Sequence, residues 1–391
     1  MKAERRLLEL IEKHLDIAAI VVITLLSMLI RFSLRHIVSG DAYLFLMPWY
    51  GEIKNGGGMK MLGQQVGNYN MLYQTLIAIF TYLPIKALYA YKILSICFDY
   101  CLAFVVGSLV YQYSDGNRKW KGIFAYAAVL LSPIVIMNSS AWAQCDSIYV
   151  CFAMLALIML CREKYLPAFL LLGVSFSFKL QAMFILPLFL FVYFWRKKFS
   201  ILHFLIIPAV MCVLNLAGVI MGRSFLDIFR IYFDQTNKYP SMALNYPSIW
   251  LFFTESESEA NYDLLERAGL WFTVAVLLVI MMVLLLKRIE WNSRNLVYMA
   301  FLFSYTCVLF LPAMHERYGY LYEILAIVIL IWKKETALLF VPMYCLTFST
   351  YAFFLFDIGS AVSPVAAFVN LAVYVGYLFL LIREMTKARE K

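Results

Sequence analysis

Long apolar runs alternate with short polar breaks from one end of the chain to the other. Crossing a bilayer as a helix takes roughly 20 consecutive apolar residues. Runs near that length predict helices over 16–35, 87–112, 122–138, 147–161, 165–180, 181–195, 201–221, 265–286, 295–312, 319–332, 336–356 and 361–382. The runs 165–180 and 181–195 also read as one short hairpin with Phe178-Lys179-Leu180-Gln181 at its tip. Two breaks are long, about 36–86 and 222–264, and both mix aromatics and glycines with apolar residues. Within the first, Asn70 to Leu83 reads as a short interfacial helix closed by Pro84. The pattern predicts an all-α fold. It describes a polytopic membrane protein of about 12 transmembrane helices, with long outer loops carrying short interfacial helices, in a single domain over 1–391.

Composition agrees with lipid as the solvent. Hydrophobic residues make up 64% and charged residues 15%, with a mean hydropathy of +0.79. A soluble domain is closer to half apolar and a quarter charged. The first run follows a basic N-terminal segment and is too long for the apolar core of a cleavable signal peptide, so a retained first helix is expected. The net charge of +9 lies in short clusters between apolar runs rather than on one face, which speaks for membrane orientation and against nucleic acid. With the N-terminus cytoplasmic, the short inner connections hold most of the 33 Lys and Arg, the positive-inside pattern. None of the eight cysteines forms a Cys-x-x-Cys pair, so they read as small hydrophobes rather than zinc ligands or a disulfide framework.

Five polar constellations interrupt the apolar sequence, and this topology puts all five at the outer face. Polar groups near membrane depth are costly and commonly functional. Asp41 follows the first run, where a carboxylate partly withdrawn from water suits a general base or simply caps the next helix. The segment Ala141-Trp142-Ala143-Gln144-Cys145-Asp146-Ser147 offers Gln144 and Asp146 as polar groups. Its plain reading is a cap at Asp146-Ser147 and an interfacial anchor at Trp142. Lys179, followed by Gln181, either snorkels to the headgroups or binds phosphate as a point charge. The loop 222–264 carries Asn237-Lys238-Tyr239-Pro240, then Asn245 and Trp250, groups suited to a sugar or to a lid. Its acidic residues Glu255, Glu257 and Glu259 read as solvated surface. Met314-His315-Glu316-Arg317-Tyr318 is the most specific: Arg can grip phosphate with a bidentate fork, and Glu316 is placed to hold that Arg. There is no G-x-G-x-x-G, no Walker lysine loop and no H-E-x-x-H, so nucleotide binding at the inner face has no support.

An early Asp, a W-x-Q-x-D element, FKLQ at 178–181, an N-x-x-x-x-W element and MHERY at 314–318 together resemble the GT-C superfamily. These are multispanning glycosyltransferases that use polyprenyl-phosphate-linked sugars. The nearest in motif are the dolichyl-phosphate-glucose glucosyltransferases and the related mannosyltransferases. The resemblance implies that Asp41 is the catalytic base and that Lys179, His315 and Arg317 handle the donor phosphate. It implies pocket support from Trp142, Gln144, Asp146, Gln181, Asn245, Trp250, Glu316 and Tyr318. No second acid lies near Asp41 before Glu52, so no metal-binding acidic pair is evident; metal-independent chemistry with no cofactor is expected.

The implied reaction is inverting transfer of a hexose from a polyprenyl-phosphate donor to a hydroxyl of a glycan or glycolipid acceptor. The expected partners are these two substrates and membrane lipids, without nucleic acid. The expected place is a bacterial cytoplasmic membrane, with the site facing outside. A flippase or transporter, or a polymerase of lipid-linked glycans, are the alternative readings.

Overall fold

Away from water, a backbone N–H must find its acceptor inside its own segment, and an apolar run then folds as a helix. The computed structural model, which describes residues 12–236, 241–253, 261–359 and 362–387, is built that way almost throughout. The basic tail before residue 12, the Asn237–Pro240 motif and the acidic residues Glu255, Glu257 and Glu259 lie outside the described residues.

The chain opens with α1 (Leu15–Ser33), then α2 (Met47–Asn55), α3 (Met71–Phe80), α4 (Ala87–Tyr113), α5 (Arg118–Leu130) and α6 (Pro133–Ile136). A π-helical turn, Met137–Ala141, leads toward α7 (Asp146–Cys161) and α8 (Tyr165–Phe178). Next come α9 (Leu186–Arg196), α10 (Ile206–Leu214), α11 (Leu216–Ile220) and α12 (Asp227–Thr236). The last part holds α13 (Tyr262–Leu286), α14 (Ser293–Phe310), α15 (Tyr320–Trp332), α16 (Ala337–Phe356) and α17 (Pro364–Lys387). Two strands of two residues each are the exception to helix: β1 (Ala243–Leu244) and β2 (Met314–His315) pair in parallel.

The count of long apolar helices differs from the sequence expectation. Among the described residues, five helices are long and apolar enough to cross a membrane: α1, α4, α13, the segment Lys334–Phe356 containing α16, and α17. A sixth results if the pair Arg118–Leu130 and Pro133–Ala141, bent by 46°, counts as one span. Five other predicted runs fold as shorter apolar helices of 10–17 residues. The reason lies in local breaks. Lys179 is extended (φ −147, ψ 142) and ends α8, and Asn215 parts α10 from α11 while its Oδ1 accepts the amide of Leu72. A straight helix of 13 residues reaches only about 20 Å, short of a 30 Å hydrocarbon core.

Burial sorts the two groups. The shorter helices α7 and α15 are almost wholly inside, as is α14, whose residues from Asn295 to Phe310 are all buried. Long helices such as α1 and α13 turn large apolar side chains outward: Leu29 is 66% exposed and Trp271 74%. An outward face this apolar suits lipid rather than water.

One buried ion pair ties α1 to the centre. Arg31 Nη2 lies 3.0 Å from Asp99 Oδ2 of α4, with the two side chains 2% and 0% exposed. The same oxygen accepts the hydroxyl of Ser139, in the π-helical turn, at 2.6 Å. Arg31 also donates to the carbonyl of Leu130, which ends α5. Removing one partner of such a pair leaves a buried charge unmatched, at a cost of about 3–5 kcal/mol. Arg31→Met is therefore expected to lower the melting temperature in detergent markedly, and adding Asp99→Leu should recover most of the loss.

Candidate functional site

The segment after α1 turns back on itself through Ser39. Its hydroxyl donates to the carbonyl of Trp142 and accepts the amide of Ala42, which starts a π-helical turn at Asp41. Asp41 is thereby placed against the segment 142–146. Ala143 is left-handed there (φ 66), an unfavourable conformation for a residue with a Cβ, of the kind that clusters at functional sites. The kink lets Trp142 and Gln144 reach the same atom. Trp142 Nε1 donates to Asp41 Oδ2 at 2.8 Å, and Gln144 Nε2 donates to it at 3.0 Å. Gln144 Oε1 in turn accepts the hydroxyl of Tyr69 at 2.7 Å, which fixes which end of the amide faces Asp41. Burial pushes the Tyr69 phenol well above its ordinary pKa, so it remains a neutral donor. Both donors use Oδ2; among the described residues, Oδ1 of Asp41 takes no hydrogen bond.

Asp146 starts α7 but makes no capping bond to the helix backbone, so the plain capping reading fails. Its carboxylate points sideways instead. Oδ1 accepts Lys179 Nζ at 2.7 Å and Oδ2 accepts Asn138 Nδ2 at 2.8 Å. Lys179 does not snorkel: its side chain is 6% exposed, its charge is matched by Asp146, and its Nζ sits 5.6 Å from the centre of the Tyr69 ring. The extended Lys179 backbone at the end of α8 is what turns the side chain inward.

The third wall comes from the strand pair. β1 and β2 place Ala243 beside Met314 and Leu244 beside His315, and Asn245 bridges to His315. Asn245 is left-handed (φ 58), which Asn accepts more readily than most residues. Arg317 lies with its guanidinium carbon 5.6 Å from the Trp142 ring and 5.7 Å from that of Tyr318. Its Nε and Nη1 are buried and lack a hydrogen-bond partner among the described residues. Burial works against its charge, but Asp146 and its neighbours outweigh that, and its pKa lies well above the ordinary value. Glu316 makes no hydrogen bond or ion pair with Arg317 among the described residues, contrary to the sequence expectation, and acts on it only as one of the nearby negative charges. Its Oε2 lies 3.9 Å from Nδ1 of His315, too far for a hydrogen bond.

These walls enclose a cavity of about 360 Å³. Asp41, Gln144, Lys179, Gln181, Asn245, His315, Glu316, Arg317 and Tyr318 all line it. Trp142 and Asp146 stand one layer behind, each bonded to a lining residue. Trp142 is fully buried, and so is no interfacial anchor; it packs against Tyr351 and Phe354. Trp250 does not join the pocket. It donates Nε1–H to the carbonyl of Phe310 and fills the space over Gly269, where a Cβ would come within 2.7 Å of its ring. It braces α13 and α14 instead.

Sequence reasoning missed Tyr69 and Asn138, the residues that orient Gln144 and Asp146, and also the wall residues Trp49, Asn68, Gln235 and Phe354. Tyr69 did carry one signal. It directly precedes Asn70, whose Oδ1 accepts the amide of Met71 and so caps α3, in a stretch of glycines and aromatics. Asn138 closes the predicted run 122–138 and opens the polar stretch Asn138-Ser139-Ser140, a break that could have marked it.

No protein-family model matches the chain, and no curated protein sequence matches it.

The Lys179–Asp146 pair separates structural from functional roles. Lys179→Met leaves Asp146 buried and unmatched, and should cost about 3–5 kcal/mol, read as a lower melting temperature. Lys179→Met with Asp146→Leu should restore much of the thermal stability while ligand binding in the cavity stays impaired.

Proposed function

We propose that this chain is a membrane glycosyltransferase that moves a hexose from a polyprenyl-phosphate donor to a hydroxyl of a glycan or glycolipid acceptor. One observation carries the reading. A carboxylate with one oxygen pinned and one open lines the same cavity as the guanidinium of Arg317, which has no carboxylate partner among the described residues. An acid and an unmatched cation lining one small pocket suit a reaction in which the one takes a proton and the other meets departing negative charge.

The steps follow from that polarity. The acceptor hydroxyl enters beside Asp41, and Oδ1 takes its proton as the oxygen attacks the anomeric carbon. The bond from that carbon to the phosphate oxygen breaks, and its electron pair leaves with the lipid phosphate. The guanidinium of Arg317 stabilises the growing charge, with Lys179 and His315 lining the same cavity. Lipid phosphate is a good leaving group, so no general acid is needed. Attack from the face opposite the phosphate inverts the anomeric centre. Trp142 and Gln144 keep Asp41 aimed by occupying Oδ2, and Tyr69 keeps the Gln144 amide in the donating orientation.

The proposal includes the membrane arrangement: about 12 crossings, the shorter helices making theirs inside the protein, where adjoining non-helical backbone is sheltered from lipid, with both termini cytoplasmic and the cavity outside. The clustering of Lys and Arg in the short connections supports it.

Purified protein given a panel of polyprenyl-phosphate sugars should release free polyprenyl phosphate with one of them. Asp41→Asn keeps the size and the Trp142 contact, and should lower turnover by roughly 10²- to 10⁴-fold without unfolding the protein. Turnover retained by this variant would remove Asp41 from the role. Arg317→Gln should lower turnover by about 10²- to 10³-fold. Silence of the wild type across the whole panel would overturn the reading.

A further inference from the structure

A second recess of about 1050 Å³ runs between α1 and α4, outside the site. Leu25, Leu29 and Phe32 line it from one helix, and Tyr89, Ile93 and Ile96 from the other. Each set repeats at helical spacing and so forms one stripe. The stripes face each other without closing, because α1 packs on α5 rather than on α4.

Polar struts bridge the gap. The hydroxyls of Ser27 and Tyr100 meet at 3.1 Å, and Arg31 pairs with Asp99. Lys92 Nζ donates to the carbonyls of Leu34, Arg35 and Ile37, at 3.0, 3.3 and 2.7 Å. These bonds fix the separation of the helices, so the groove between them stays open. Several of its side chains are strongly exposed, Leu29 and Phe32 by 66% and 62%.

One end of the groove is cationic. Arg35 follows the end of α1, and Lys86 immediately precedes α4, so both sit at the same mouth. Lys92 is spent on the three carbonyls. Arg35 donates to the carbonyl of Phe32 and lies over its ring, 3.7 Å from guanidinium carbon to ring centre. Among the described residues neither Arg35 nor Lys86 has a carboxylate partner. An apolar trough with two unmatched cations at its mouth is complementary to a long hydrocarbon chain ending in an anion.

We propose that this recess binds an anionic phospholipid of the surrounding membrane, with its phosphate against Arg35 and Lys86 and one acyl chain along the groove. The inference needs the chain to lie in a membrane; it does not depend on glycosyl transfer, and its test reads binding alone. A cation close to an anionic headgroup strengthens association roughly fivefold. Two of them should give a preference on the order of tenfold or more over a zwitterionic lipid with the same chains.

The test is native mass spectrometry of the full chain with phosphatidylglycerol or phosphatidylcholine of matched chains. The wild type should retain one phosphatidylglycerol in preference to phosphatidylcholine. R35Q/K86Q, changes at the mouth of the recess, should lose that preference at an unchanged melting temperature. I93W fills the trough and should reduce retention of both lipids. Equal retention of the two lipids by the wild type would overturn the proposal. So would unchanged phosphatidylglycerol retention in both variants, or a preference for polyprenyl phosphate over phosphatidylglycerol.

Discussion

The carboxylate of Asp146 is the contact on which the candidate site depends. It is buried, and a charge there is tolerable only if fully matched. Lys179 and Asn138 supply the match, one from the break after α8 and one from the π-helical turn before α7. Satisfying Asp146 thus fixes the relative positions of three chain segments. The same field keeps Arg317 charged in a half-buried setting. Without this one group, Lys179 would have no reason to turn inward.

A polar chain extends from there across the centre of the molecule. Asn138, bonded to Asp146, is followed in sequence by Ser139, bonded to Asp99, which is paired with Arg31 of α1. The π-helical turn carries both links, and its extra residue per turn allows neighbouring side chains to reach partners on different sides. A second, shorter chain runs Tyr69, Gln144, Asp41. Polar networks in an apolar interior specify one arrangement, because every alternative strands a donor or an acceptor. Here they hold the carboxylate and the cations around one cavity.

The exceptions are also informative. Arg317 keeps two buried N–H groups without protein partners, and Asp41 keeps one oxygen open. Both groups line the same cavity, where the open oxygen of Asp41 and the guanidinium of Arg317 can meet a ligand's own polar atoms. Trp250 is the opposite case: its one donor is consumed by Phe310, and its ring is wedged over Gly269, so nothing is left over for a ligand.

The sequence by itself determined that the chain is helical and built for an apolar solvent, because run length and charge placement are local properties that no tertiary contact can reverse. It also located Asp41, Gln144, Lys179, Asn245 and the His315–Tyr318 segment, since polar residues interrupting apolar runs stand out at single-residue resolution. Tertiary structure decided everything that depends on partners. It decided that Lys179 pairs with Asp146 instead of reaching for headgroups, that Glu316 makes no hydrogen bond or ion pair with Arg317 among the described residues, and that Trp250 braces helices. It brought in Tyr69 and Asn138, whose roles exist only through residues distant in sequence or on another turn. It also set how many runs become long helices, because Lys179 and Asn215 break helices where their side chains or backbone serve another element. Hydropathy sums over a window and registers none of this; a hydrogen bond to a remote group is what decides it.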